Sequence, residues 1–180
     1  IMQEIKHTYT IQWVGPFSYK EYQEYIRNEK TLSGELFNFY YFEALIDARY
    51  KKRRYLGIHK SNDGINKRLN SSHEHLKEFL DAKDLQIWIG SFSHEDYQIK
   101  ENIDIVETLL IQAYKDGLTE NSKKRKSLPA ESICIINMWF DNNEQLQTYA
   151  RTKSDIFNDV LVYYEEKDLF FKGDLSKMKI

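Results

Sequence analysis

A chain of 180 residues that is 41% apolar and 14% aromatic carries enough apolar surface for one folded domain, which excludes a disordered protein. Its formal net charge of −2 excludes a grip on a polyanion through bulk charge, so phosphate binding would need a local patch. No run approaches eighteen consecutive apolar residues and no basic-then-apolar leader opens the sequence, so a membrane partner is not expected and a cytoplasmic protein is.

In chain order, residues 6–14 alternate as a strand does, and Gly15-Pro16 is expected to stop it. Ser18 with Glu21 three residues later forms a capping box, and Tyr19, Tyr22, Tyr25 and Ile26 recur at spacings of three and four on one face of the helix that follows. Leu32-Ser33-Gly34 closes this segment. Two strands, Phe37–Ile46 and Arg53–His59, flank the polar turn Asp47–Lys52 and read as a hairpin, with Gly57 marking a close backbone approach or a bulge. After the turn signal Ser61-Asn62-Asp63-Gly64, residues Ile65 to about Ala82 read as a helix with Leu69, Leu76, Phe79 and Leu80 facing inward.

Residues 85–92 read as a short buried strand. A strong helix is expected from Asn102 or Asp104, with Ile103, Val106, Leu109, Leu110 and Ala113 buried and Gly117 as its C-cap. Glu107 lies at the edge of that apolar face, a costly place for a carboxylate unless it is held for a purpose. Ser132–Phe140, Val160–Tyr164 and Leu169–Lys172 read as further strands, the last two as a second hairpin able to join a sheet with the N-terminal strand. A polar segment reaching to about Asp155 is read as helical, and the single cysteine, Cys134, as a small buried hydrophobe. Two basic runs stand out: Arg49, Lys51, Lys52, Arg53 and Arg54 in the hairpin turn, and Lys123, Lys124, Arg125 and Lys126 after the second helix. Each is either a solvated charge run or a nucleic-acid contact.

Asn38-Phe39-Tyr40, Tyr55-Leu56-Gly57, Arg68, Glu107-Thr108-Leu109-Leu110-Ile111 and Asn121, in that order over residues 37–126, resemble the GIY-YIG nuclease family. The sequence departs from the family in lacking the first glycine, in a longer hairpin turn and loop before Arg68, and in placing His73 five residues after the arginine instead of a histidine or tyrosine four after it. The resemblance implies an α+β fold, a small mixed sheet with a β-hairpin and flanking helices in β-β-α-β-α order. It implies a nuclease-like core over 36–126, with a strand-helix extension at 1–35 and a β-rich extension at 127–180. The flanks are expected to supply specificity or to pair two copies as a homodimer.

The resemblance implies a metal-dependent endonuclease acting on nucleic acid, DNA above all. Glu107 would bind Mg²⁺ or Mn²⁺, and Arg68, at a helix start, would hold the scissile phosphate. Tyr55 would take a proton from water, Tyr40 would position that water or share the task, His73 would join the site, and Asn121 would support Tyr or Glu. A tyrosine ionises near pH 10, so this role requires cationic neighbours that lower its pKa. The competing reading is the same fold binding nucleic acid without cutting it. A third is an α+β protein whose tyrosines are core and whose Glu107 is an ordinary helix residue.

Overall fold

The computed structural model describes residues 4–28, 37–46, 51–121, 127–146 and 152–175. Arg49, the second basic run at Lys123, Lys124, Arg125 and Lys126, the Leu32-Ser33-Gly34 closure and 147–151 of the polar segment lie outside the described residues; the described residues of that segment, up to Asp155, are not helical as expected. The protein is α+β. Its sheet has seven strands, larger than the small sheet expected, in the order β3-β2-β4-β1-β5-β6-β7. These are β1 (His7–Phe17), β2 (Phe39–Leu45), β3 (Lys52–Ile58), β4 (Gln86–Phe92), β5 (Ile133–Phe140), β6 (Val160–Tyr164) and β7 (Leu169–Gly173). Among the described residues two α-helices accompany them, α1 (Tyr19–Arg27) and α2 (Lys100–Ala113). Neither is long and apolar enough to cross a membrane.

Alternation along each strand divides the core between the two faces of the sheet. Phe39 and Tyr41 of β2 join Trp13, Trp88 and the Ile103, Val106, Leu109 and Leu110 face of α2. Tyr40 and Phe42 of the same strand join Tyr22 and Ile26 of α1 together with Leu69, Leu76 and Phe79. The α1 cap forms as read: Ser18 Oγ accepts from Glu21 N at 3.3 Å, and Ser18 N donates to Glu21 Oε2 at 2.7 Å.

Four sequence expectations are corrected. First, β1 does not stop at Gly15-Pro16; it runs to Phe17, with its register on β4 shifting between Val14 and Phe17. Gly15 has φ +147°, and a Cβ there would meet Ile87 O at 2.6 Å, so a glycine lets the strand bend while still paired. Second, β1, expected in an extension beside the hairpin core, belongs to the same sheet as that core. It lies at the centre, antiparallel to β4 and parallel to β5. Third, α2 starts at Lys100 and its C-cap is Tyr114, three residues before Gly117.

The fourth correction concerns residues 65–82. They form two short 3₁₀ turns, Ile65–Lys67 and Leu76–Glu78, instead of a helix. Side chains supply the reason by competing for the backbone. Asn70 Nδ2 donates to the carbonyls of Asn66 and Lys67, and Asn70 Oδ1 accepts from Ser72 N. His73 Nδ1 then accepts from the backbone N–H groups of His75 and Leu76. The apolar positions were read correctly, since Leu69, Leu76 and Phe79 are fully buried.

Candidate active site

The β2–β3 hairpin pairs Tyr40 with Gly57 and Phe42 with Tyr55. The absence of a side chain at Gly57 is what admits the Tyr40 ring, because a Cβ there would lie 2.4 Å from Tyr40 Cζ. Tyr40 and Tyr55 stack with ring centroids 6.1 Å apart. Both line a cleft of about 410 Å³ beside the β3 edge, together with Arg68 and Glu107. Ile58, His59, Lys60 and Ser61 complete the wall. Four elements thus meet in one cleft: β2, β3, the first 3₁₀ turn and α2.

His73 reaches this group because its segment is not helical. The rotation of about 100° that a one-residue offset would cause on a helix does not apply. Its Nε2 is 2.9 Å from Tyr40 Oη, and its ring makes edge contacts with Tyr40, Phe42 and Tyr55. Since Nδ1 accepts two backbone N–H groups, the neutral ring carries its proton on Nε2 and donates it to Tyr40. His75 stacks on Tyr55 with ring centroids 4.3 Å apart.

Burial dominates the electrostatics of the tyrosine pair. The Tyr40 hydroxyl is pushed above its ordinary pKa mainly by desolvation and next by Tyr55, against a smaller opposing pull from the hydrogen-bonded Arg68 guanidinium. Tyr55 is raised as well, first by desolvation, with Arg68 opposing and the Glu107 charge adding to the rise. Arg68 is present as the cationic neighbour that a tyrosine base requires, yet the net direction for both hydroxyls is upward. Arg68 sits at the end of a three-residue 3₁₀ turn, so the helix-start contribution expected for phosphate binding is replaced by its guanidinium alone.

Three further expectations are redrawn. Asn121 does not support Tyr or Glu: its Nδ2 donates to Leu56 O at 2.7 Å and its Oδ1 accepts from Leu56 N at 2.8 Å, so it pairs with the edge strand. The described cations of the hairpin turn do not form a free patch. Lys52 and Arg54 pair with buried Glu43, Arg54 also with Asp155, and Arg53 with Glu78 and Glu120; Lys51 is exposed. Cys134 is half-buried rather than fully buried, and burial raises its thiol pKa.

Sequence reasoning missed His59, Lys60 and Ser61, which follow Tyr55-Leu56-Gly57 directly. The signal was available: in an extended chain Tyr55, Gly57 and His59 share one face, so a residue two beyond the glycine is placed with the tyrosine. The ladder in fact continues past β3, with His59 N donating to Asn38 O at 2.7 Å.

Among the described residues no group of three or more His, Cys, Asp and Glu side chains is placed to hold a metal ion. Mg²⁺ keeps most of its waters and takes one or two protein carboxylates, and Glu107, buried yet lining the cleft, is the carboxylate there that could hold it. No protein-family model, no curated protein and no solved structure matches this chain.

Proposed function

We propose that this chain is a GIY-YIG-type, metal-dependent endonuclease that hydrolyses phosphodiester bonds in DNA. The observation that carries the reading is the meeting of Tyr40, Tyr55, Arg68 and Glu107, from four separate elements, in one open cleft. Strand order supports it, since the β3-β2-β4 part of the sheet gives the hairpin-plus-strand arrangement that the resemblance implies. Arg68 offers a planar pair of donors to a phosphate and stabilises the charge that grows on it as water attacks. The Tyr40 and Tyr55 hydroxyls supply neutral hydrogen bonds beside that charge. His73 holds Tyr40 in place from behind. Glu107 would bind Mg²⁺ or Mn²⁺, whose positive charge would stabilise the attacked phosphate and lower the pKa of a bound water.

Nicking of supercoiled plasmid with Mg²⁺ or Mn²⁺ tests this reading, comparing the wild type with Glu107→Ala and Arg68→Ala. Cleavage lost in both variants, by roughly 10²-fold or more for the arginine, supports the two roles. Binding of Mn²⁺ followed by electron paramagnetic resonance, lost in Glu107→Gln, checks the metal ligand without relying on activity. A wild type that binds DNA in a salt-sensitive manner, loses binding in Arg68→Ala and never cuts would be the binding module instead.

A further inference from the structure

Attack by water on a phosphodiester releases a proton, and an efficient acceptor has a pKa close to the working pH. Burial moves both tyrosines away from that range. The same cleft wall holds another candidate. His59 is buried where the ladder leaves β3, and its Nε2 lies 2.8 Å from Asp63 Oδ1. The Ser61 hydroxyl and then His59 hold the Asp63 carboxyl below the usual carboxylate range, so Asp63 is an anion near neutral pH. A carboxylate on one ring nitrogen fixes the tautomer and leaves the other nitrogen as the base. Nδ1, which no described residue bonds, is therefore the nitrogen that keeps its lone pair, on a ring that lines the cleft.

We infer that His59 Nδ1 takes the proton of the attacking water and that Asp63 positions the ring for that transfer. The inference rests on the nuclease reading of this cleft. As the water oxygen bonds to phosphorus, one water proton passes to Nδ1 while the other ring proton stays on Nε2, which donates it in a hydrogen bond to the Asp63 carboxylate. The ester P–O bond breaks, the leaving oxygen takes a proton from solvent, and the imidazolium returns its own to solvent. Of the charged and titratable groups around His59, Asp63 bonds its ring, and Lys60, Arg68 from the 3₁₀ turn, Tyr40 from β2, Tyr55 from β3 and Glu107 from α2 line the same cleft. Lys60 is itself paired with Asp104 at 2.5 Å.

The experiment is chemical rescue during metal-dependent plasmid nicking by the full chain. His59→Ala is expected to lower kcat/KM by about 10²- to 10⁴-fold while plasmid binding persists, and imidazole added to the buffer restores activity. Asp63→Asn gives a smaller loss that imidazole does not restore. Wild-type rates in His59→Ala overturn the assignment. So does a plasmid-binding His59→Ala that imidazole fails to restore, or a rate that climbs only near the tyrosine range and loses that rise in Tyr55→Phe. A wild type that cuts with neither metal overturns the nuclease reading, and this assignment with it.

Discussion

A methyl group on Gly57 would lie 2.4 Å from Tyr40 Cζ and 2.5 Å from its hydroxyl, in a place where the ring has no exposed surface to retreat into. Gly57→Ala therefore forces Tyr40 away from His73 Nε2. The expected cost is about 1–3 kcal/mol, the usual range for overpacking a tight core, read by urea denaturation, with a changed near-UV circular dichroism signal reporting the displaced tyrosine. This constraint was legible in outline, because a glycine inside a strand announces a close approach. Which ring makes the approach was legible only through the pairing register. His73 was harder. Its contact with Tyr40 depends on Asn70 and on its own Nδ1 intercepting backbone N–H groups, and no apolar periodicity encodes such bonds.

At the scale of elements, β3 is the first strand of the sheet, yet its outer edge is not open where it matters. Arg54 N donates to Thr119 Oγ1 at 2.9 Å, Glu120 N donates to Arg54 O at 3.0 Å, and the Asn121 amide completes both bonds of Leu56. The stretch after α2 thus stands in for a neighbouring strand, which removes a template for edge-to-edge pairing. Asn121→Ala leaves the buried N–H and C=O of Leu56 without these partners and is expected to cost roughly 1–3 kcal/mol, measured by denaturation. Faster amide exchange at Leu56 would localise the loss. The sequence drew attention to Asn121 through a resemblance and assigned it to the wrong neighbours, since an asparagine serves a backbone as readily as a side chain. Residues 65–82 teach the complementary lesson: hydrophobic spacing identified which side chains are buried but not the backbone that buries them.

For the whole molecule, the decisive pairing is that of β1 with both β4 and β5. Strand content and type were visible locally, whereas this arrangement joins residues seventy or more positions apart and leaves no local trace. Truncating the chain to begin at residue 37 should remove the middle of the sheet, with Trp13 taken out of its stack on Trp139 and Phe157. We expect such a chain to lack a cooperative thermal transition, checked by circular dichroism. Alkaline pH should unfold the intact protein. Tyr22, Tyr40 and Tyr41 are buried, and desolvation is the largest cause raising each pKa. An acid whose folded pKa lies above its unfolded value contributes stability that is whole below about pH 10 and declines as pH climbs beyond it. Absorbance at 295 nm should show these phenolates appearing together with loss of structure.

The sheet order hides a short connection. β3 and β7 stand at its opposite ends, yet Lys172 of β7 donates to Ala113 O at the end of α2, the helix whose Glu107 lines the cleft beside β3. The strand farthest along the sheet from the cleft is therefore tied directly to the helix that carries the cleft carboxylate, and a change in β7 reaches the site along that helix instead of across the sheet.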